Sequence, residues 1–305
     1  MLFSHGKIIT ILQYFTDKVE DYWHILYPVI SLEERRNNPY LYFYDISKKA
    51  TEYNGEFSKE GLYLFKGYDG KYHLHALELA QYSLACWQAW RQTKDDKWCD
   101  IAILHCDWLV ENQASDGAWR IEHKNPKYDD LPTPWASGMA QGLAISSLLR
   151  AYKYTDDIQY LMYAKKASDF LEVSVHENGV RRDFNNVFIY EEYPRAKLNG
   201  VLNGYISVVI AMYELSEVDE DYRNMYKMNV ANLKKILPLY DCGFWSYYAL
   251  DKNCSSGFYH RYVIIQLKSL AFIDPVFNHF AKKFEKYLSC RSCMMKALWM
   301  KVAKR

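Results

Sequence analysis

Apolar residues recur at helical spacing from about residue 74 onward, in pairs of segments joined by short acidic turns. One such segment places four apolar side chains on a single helical face: Ile145, Leu148, Leu149 and Tyr152. The order of helix, acidic turn, helix and longer loop returns about every sixty residues. Its units begin at Leu79, Met139 and Val201, and a further hairpin spans Tyr262 to Leu288. The pattern therefore predicts four helical hairpins.

Acidic residues stand in each predicted turn, where a carboxylate can cap the N-terminus of the second helix. They are Asp95 and Asp96, Asp156 and Asp157, Asp219 to Asp221, and Asp274. A single hairpin cannot bury its own apolar face, so neighbouring hairpins must stack, and the period is too long for tetratricopeptide or HEAT repeats. We predict a mainly α fold, an incomplete (α/α) toroid of helical hairpins over residues 72–305. Its cleft would be formed by the loops and the inner helices.

Residues 35–72 break this pattern, because aromatic residues alternate there with turn-forming pairs. The aromatic run is Tyr40 to Tyr44, and the turn pairs are Asn54-Gly55 and Asp69-Gly70. Aromatic segments bounded by such pairs are typical of β-hairpins. We predict that residues 1–71 form an N-terminal helix and a small β-hairpin-rich segment that lies across the cleft.

Composition and charge exclude several classes of function. The net charge is +1, so neither nucleic acid nor a membrane surface is an expected partner. No apolar run is long enough for a transmembrane helix, and the first residues lack the cleavage site of a secretory signal. The seven cysteines show no paired metal-binding spacing, and Cys290 and Cys293 form a lone CxxC pair. We expect reduced cysteines, no metal, no cofactor and a cytoplasmic location.

Aromatic content is the unusual feature of the composition, with 28 tyrosines and 9 tryptophans. Aromatic side chains present flat apolar faces with a polar edge, which suits stacking on sugar rings. Packing between helices is the alternative, and composition alone leaves both open.

The densest cluster of reactive side chains lies just before the helix of the third hairpin. Glu191, Glu192 and Tyr193 precede Pro194, which disfavours a helix at the residue before it and so predicts a loop or strand entering a helix. The segment offers carboxylates as acid or base, phenols as donors, and cations such as Arg195 that can shift their pKa values. A solvated charged loop is the alternative.

A second unusual segment is Tyr259-His260-Arg261, beside an apolar helix. Arg261 close to Tyr259 would favour the phenolate and make Tyr259 a usable base. The alternative is a helix start with aromatic packing.

These segments resemble the heparosan/heparan glucuronyl C5-epimerase family. The matching motifs follow the family's order with closely similar spacing over roughly residues 72–290. They are Trp135 with Ser137 to Gly142, Leu148 to Tyr152, Glu191 to Pro194, Val201 to Gly204, Leu237 to Asp241, Gly243, Tyr248, Tyr259-His260, Gln266-Leu267 and Ile273 to Pro275. An ordered set of this size is more specific than any single motif.

The resemblance implies inversion at C5 of D-glucuronic acid residues within a polysaccharide, which gives L-iduronic acid. A base removes the C5 proton, and an acid on the opposite face of the sugar returns one. By motif, Glu192 and Tyr259 are the opposed pair, with Tyr193 and Tyr248 beside them. The other predicted substrate contacts are Asn203 and Gln141 for hydroxyls, Trp135 for stacking, and His260. The partner would be an anionic uronic-acid polysaccharide, and a homodimer is one option for assembly.

Departures from the family's pattern bear on the substrate. Animal members carry an Asp-Leu-Arg run where this chain reads Ala249-Leu250-Asp251. Arg261, Arg195 or Arg182 would then have to hold the substrate carboxylate. The loop that follows is shorter, and we expect no β-rich domain like the one that precedes the helical domain in animal members. We therefore expect a compact microbial relative that serves capsule or surface-polysaccharide synthesis, with a uronic acid substrate that can differ from heparosan.

Three other functions stay open from the sequence. A polysaccharide lyase begins with the same C5 proton abstraction and then expels the C4 substituent. A glycoside hydrolase would need a second carboxylate opposite the first, for which Asp241 and Asp183 are candidates. A non-catalytic carbohydrate-binding or scaffold protein would need neither.

Overall fold

The computed structural model describes residues 5–16 and 28–303, so parts of the predicted segment 1–71 and the last two residues lie outside the described residues. The helices are α1 His5–Leu12, α2 Leu32–Asn37, α3 Lys48–Thr51, α4 Ala76–Thr93, α5 Lys97–Glu111, α6 Gly138–Thr155, α7 Ile158–Phe170, α8 Leu202–Val218, α9 Arg223–Ile236, α10 Gly257–Ser269, α11 Pro275–Leu288 and α12 Arg291–Ala303. The strands are β1 Phe65–Lys66, β2 Tyr72–His73, β3 Arg120–Ile121, β4 Trp135–Ala136, β5 Arg181–Phe184 and β6 Val187–Tyr190. Each strand pairs antiparallel with its neighbour, as β1–β2, β3–β4 and β5–β6.

The four predicted helical hairpins are present as α4–α5, α6–α7, α8–α9 and α10–α11, which confirms the mainly α fold class. The first two hairpins reverse the chain through a residue in the left-handed conformation, Lys94 with a φ of 60° and Asp156 with a φ of 58°. The fourth hairpin begins earlier than predicted, at Gly257.

Carboxylates stabilise all four turns as predicted. Asp157, Asp219 and Asp274 each accept a hydrogen bond from the backbone N–H two residues further on, at 2.9, 3.0 and 2.9 Å. In the first turn Asp95 makes the corresponding bond, from the backbone N–H of Lys97 at 3.2 Å, while Asp96 makes no side-chain cap on α5 and accepts a hydrogen bond of 2.9 Å from the indole of Trp90.

The first helices of the hairpins pack side by side in chain order. α6 lies against both α4 and α8, and α8 also packs against α10, while each second helix packs against its own first helix. α6 and α8 approach closely at Gly142, where a Cβ atom would lie 3.0 Å from the backbone of Ser207. This row of helices carries the core, and its closure into an incomplete toroid stays a prediction.

The segment before α4 contains less β-structure than predicted. Among its described residues, β1 and β2 are its paired strands, and α2 and α3 are short helices. The aromatic run Tyr40 to Tyr44 forms no strand; most of it is buried against the hairpins. The guanidinium of Arg150 in α6 donates to the carbonyl of Leu41 at 2.8 Å, so a side chain satisfies a backbone acceptor that a strand partner would otherwise have paired.

The same segment is joined to the helical hairpins, since α3 packs directly against α4. The domain boundary near residue 72 stays a prediction. No helix in the described part of the chain is both long and apolar enough to span a bilayer.

Candidate active site

A cavity of about 520 Å³ opens where the N-terminal ends of α4, α6, α8 and α10 meet. Each of these helices contributes residues near its start: Glu78 and Gln81, Met139, Asn203, and Phe258, Tyr259 and Tyr262. The remaining wall comes from the segment before α4 and from the loops that precede β4 and follow β6. Helix N-termini expose unpaired N–H groups and partial positive charge, so this end of the hairpins favours anionic groups.

Glu192 follows β6 and lies in the cavity wall, with only 6% of the residue exposed. Its Oε2 atom has no hydrogen-bond partner among the described residues. Burial raises the pKa of Glu192 to about 7, although interactions with the hydroxyl of Tyr193 and the charge of Lys127 oppose the shift. Near neutral pH this carboxyl group therefore occupies both protonation states, as a general acid or base requires.

The carboxylate of Glu192 fits because residue 204 in the first turn of α8 is glycine. A Cβ atom on Gly204 would lie 3.0 Å from Oε2 and 3.3 Å from Cβ of Glu192. A larger residue at this position would therefore displace the carboxylate. The Glu-Glu-Tyr-Pro motif and the Asn-Gly pair that follows it in sequence are therefore in direct contact in the fold.

Tyr259 lies in the first turn of α10 and faces the same cavity. The ring of Tyr248 packs edge-on against it, with ring centroids 4.8 Å apart. Burial, together with the nearby charges of Glu192 and Glu78, raises the pKa of Tyr259 above its ordinary value. Tyr259 is therefore a neutral phenol at neutral pH, and it can donate a proton.

The expectation that Arg261 favours the phenolate of Tyr259 is wrong in this structure. The guanidinium of Arg261 donates to the backbone carbonyls of Gln13 and Gly257 and is not part of the cavity wall. The reason is geometric, since residues two positions apart on a helix project from different faces. Sequence adjacency did not place this charge beside the phenol.

The other two arginines expected to hold the substrate carboxylate also lie outside the cavity wall. Arg182 forms an ion pair of 2.6 Å with Glu191, and Arg195 forms one of 2.7 Å with Asp130. Both therefore organise the loop around the site. Among the described residues, the lysines in the cavity wall are Lys49, Lys66 and Lys127.

Asn203, Trp135 and Tyr193 do line the cavity, as the resemblance implies. The Oδ1 atom of Asn203 has no hydrogen-bond partner among the described residues. The rings of Trp135 and Tyr193 lie with centroids 5.5 Å apart, and Tyr128 lies 4.9 Å beyond on the other side of Tyr193. These three rings form an aromatic wall beside Glu192. The substrate contacts assigned to these residues stay predictions.

Gln141 and His260 are buried away from the cavity wall. The amide of Gln141 donates to the carbonyl of Gly117 at 2.9 Å, which holds the loop after α5. The ring of His260 stacks on Trp245 with centroids 3.7 Å apart and bonds to the carbonyl of Phe284. Burial lowers the pKa of His260 to about 3. Both side chains therefore stabilise the fold, and their positions do not support the predicted contact with substrate.

The two aspartates considered for a hydrolase also lie outside the cavity wall. Asp241 pairs with Lys283 at 2.5 Å, and the side chain of Asp183 in β5 is 87% exposed. No group of three or more potential metal ligands occurs among the described residues.

Sequence reasoning missed the side chains that the segment before α4, the first turn of α4 and the loop after β3 bring into the cavity. They are Lys49, Lys66, Tyr68, His75, Glu78, His123 and Lys127. The sequence does contain a local indication that Glu78 is unusual, because this acidic residue stands between Leu77 and Leu79 at the start of an apolar helix. The others depend on contacts between distant parts of the chain.

A family model described as "D-glucuronyl C5-epimerase C-terminus" matches residues 111–287, which is more than half of the chain. The matched region contains Glu192, Tyr193, Tyr248 and Tyr259. Glu78 lies outside it.

Two relatives show similarity over part of the chain. The chain is 33% identical over 192 residues to the D-glucuronyl C5-epimerase of Caenorhabditis elegans, covering 55% of this chain and 31% of that protein. It is 32% identical over 149 residues to an uncharacterized protein of Methanocaldococcus jannaschii, covering 47% of this chain and 48% of that protein. The chain thus matches about a third and about half of the length of these two relatives.

Proposed function

This chain belongs to the D-glucuronyl C5-epimerase family, and on that premise we propose that it inverts C5 of D-glucuronic acid residues within a polysaccharide. The observation that carries the proposal is the presence of Glu192 and Tyr259 in one cavity wall. Glu192 is a carboxyl group with a raised pKa, and Tyr259 is a neutral phenol. A base and an acid that face one sugar are what inversion at a carbon requires.

In the proposed reaction the carboxylate of Glu192 accepts the C5 proton. The electron pair of the broken C–H bond moves into the adjacent carboxylate of the sugar and forms an enediolate. The hydroxyl of Tyr259 then donates its proton to C5 from the opposite face, which gives the L-ido configuration. We assign the return of the proton from Glu192 to the phenolate to Tyr193 and Tyr248. The hydroxyl of Tyr193 interacts with Glu192, and the ring of Tyr248 packs on Tyr259.

An anionic polymer suits the charge around this cavity. The N-terminal ends of four helices and the exposed Lys66 and Lys127 favour negative charge at its wall. The same positive potential stabilises an enediolate, which carries more negative charge than the ground state. We propose a heparosan-like, glucuronic-acid-containing surface polysaccharide as the substrate.

Incubation with heparosan in deuterated water tests the proposed function. We expect deuterium at C5 and the appearance of iduronic acid by NMR, with no change in chain length. Absorbance from an unsaturated sugar would instead indicate a lyase, and new reducing ends would indicate a hydrolase. Absence of C5 exchange with every glucuronic and mannuronic polymer tried would overturn the proposal.

Replacement of Gly204 by alanine should lower the rate of C5 exchange about tenfold or more, because a small displacement of Glu192 misaligns the reacting group. The free energy of unfolding should change by less than about 1 kcal/mol, since the flexible side chain of Glu192 can move aside. Initial rates by NMR and urea denaturation measure the two effects.

Gly142→Ala is the matched control for this variant. Its new Cβ atom would meet the backbone of Ser207, which moves only if α8 moves. We expect a loss of about 1–3 kcal/mol in the free energy of unfolding. An equal loss of stability in Gly204→Ala, or an unchanged exchange rate, would contradict the assigned contact with Glu192.

A further inference from the structure

The candidate active site needs a group that holds the uronate carboxylate while C5 is deprotonated. Among the described residues, no arginine lines the cavity, and Arg182, Arg195 and Arg261 are engaged elsewhere. The exposed Lys66 and Lys127 lie at the rim. In the deeper wall, the charge of the buried Lys49 already acts on the carboxyl group of Glu78, which lines the same cavity.

Glu78 is placed to hold the uronate carboxylate. It lies in the first turn of α4 and lines the cavity, on a segment that the family model does not cover. Among the described residues, its carboxyl group makes neither a hydrogen bond nor an ion pair. Its charge nevertheless acts on both Glu192 and Tyr259, so it stands within electrostatic reach of the two proposed reacting groups.

An ionised carboxylate at this position would repel the substrate, so the protonation state of Glu78 decides its use. Burial raises the pKa of Glu78 to about 7, and the charge of the buried Lys49 only partly opposes the shift. A uronate that enters beside Glu192 adds a further negative charge and favours the protonated form again. A protonated carboxylic acid gives a short, strong hydrogen bond to a carboxylate.

We propose that Glu78, as a neutral carboxylic acid, donates a hydrogen bond to the carboxylate of the uronic acid residue held between Glu192 and Tyr259, in place of an arginine. The inference rests on the proposed function and assigns a substrate-binding residue to the same site. The bond strengthens as the carboxylate becomes an enediolate, so Glu78 contributes to turnover as well as to binding.

Glu78→Gln and Glu78→Ala separate this role from a structural one. Glutamine retains a neutral donor of the same size, whereas alanine removes it. We expect Glu78→Ala to weaken binding of heparosan about tenfold or more by calorimetry, and Glu78→Gln to stay within about threefold of the unchanged protein. Glu33→Gln, an exposed acid in the first turn of α2, is the matched control and should bind like the unchanged protein.

A chemically altered polymer supplies the second arm of the experiment. In carboxyl-reduced heparosan each carboxylate is a neutral hydroxymethyl group, so the hydrogen bond from Glu78 loses its charged acceptor and most of its strength. The unchanged protein should bind this polymer about as weakly as Glu78→Ala binds heparosan, and the two variants should bind it equally. Equal loss for Glu78→Ala on both polymers, or Glu78→Gln as weak as Glu78→Ala, would overturn the proposal.

The exchange assay distinguishes failure of this inference from failure of the proposed function. If the unchanged protein exchanges deuterium at C5 but the binding differences are absent, Glu78 is not the carboxylate partner and the epimerase proposal stands. If the unchanged protein neither binds heparosan nor exchanges at C5, both proposals fall.

Discussion

Tyr259→Phe is expected to lower the rate of C5 inversion about a thousandfold, because it removes the proton donor on one face of the sugar and leaves the cavity wall intact. Only the hydroxyl group is lost, and burial together with the charge of Glu192 keeps it protonated at neutral pH. NMR of heparosan in deuterated water measures the rate. The far-UV circular dichroism and the urea midpoint should stay close to those of the unchanged protein.

Tyr262→Phe is the matched control, since Tyr262 lies one turn further along α10 and also lines the cavity. Its hydroxyl is hydrogen bonded to that of Tyr44 at 2.7 Å, so it serves packing between α10 and the segment before α4. We expect an exchange rate within a few-fold of the unchanged protein and a loss of about 1 kcal/mol in the free energy of unfolding. A Tyr259→Phe rate as high as that of Tyr262→Phe would refute the role of Tyr259.

The helical hairpins were predictable because their signals are local. The face that carries Ile145 and Leu148, and the carboxylates of Asp157 and Asp274 at the turns, act within a few residues of their own position in the chain. The aromatic run Tyr40 to Tyr44 misled for the opposite reason. Its composition is typical of strands, but burial against the hairpins decides its conformation, and strand propensity is a context-dependent preference.

In the candidate site, too, the residues with a signal in the sequence were predicted and those that depend on tertiary contacts were not. Glu192 and Tyr259 followed from motifs whose order matches the family, and the structure places both in one cavity. Arg261 was assigned to the site because it is close to Tyr259 in sequence. On a helix, residues two positions apart project from different faces, so the two side chains point apart. Glu78 could not be assigned to the site, because it reaches the cavity only when α4 packs beside α6, and Glu192 and Tyr259 lie more than a hundred residues away in sequence.

The shared direction of the first helices explains why this cavity suits proton transfer on an anion. Four N-terminal helix ends converge on it and favour negative charge. Burial opposes that effect at Glu192, so its pKa lies near neutrality. The site can therefore hold an anionic sugar and still contain a carboxyl group that exchanges protons.

Glu191 and Glu192 are neighbours in sequence, and we expect their replacement by glutamine to change stability in opposite directions. Glu192→Gln removes the base and should lower the exchange rate about a thousandfold. It should also raise the free energy of unfolding at pH 8 by about 2–3 kcal/mol. The pKa of Glu192 rises from 4.5 to about 7 on burial, so the folded state loses stability as pH rises through that window and carries the full cost above it. At pH 4 the gain should vanish.

Glu191→Gln should instead lower the free energy of unfolding by about 2–3 kcal/mol at pH 8. Burial raises the pKa of Glu191 as well, but, unlike that of Glu192, its fully buried carboxylate has a counterion, Arg182 at 2.6 Å, and accepts from the backbone N–H of Gly200 at 2.7 Å. Its removal leaves a largely buried guanidinium without its counterion. Urea denaturation at pH 4 and pH 8 measures both variants. If Glu192→Gln is less stable than the unchanged protein at pH 8, Glu192 stabilises the fold. The interpretation that it is retained for proton transfer at a cost in stability would then be wrong.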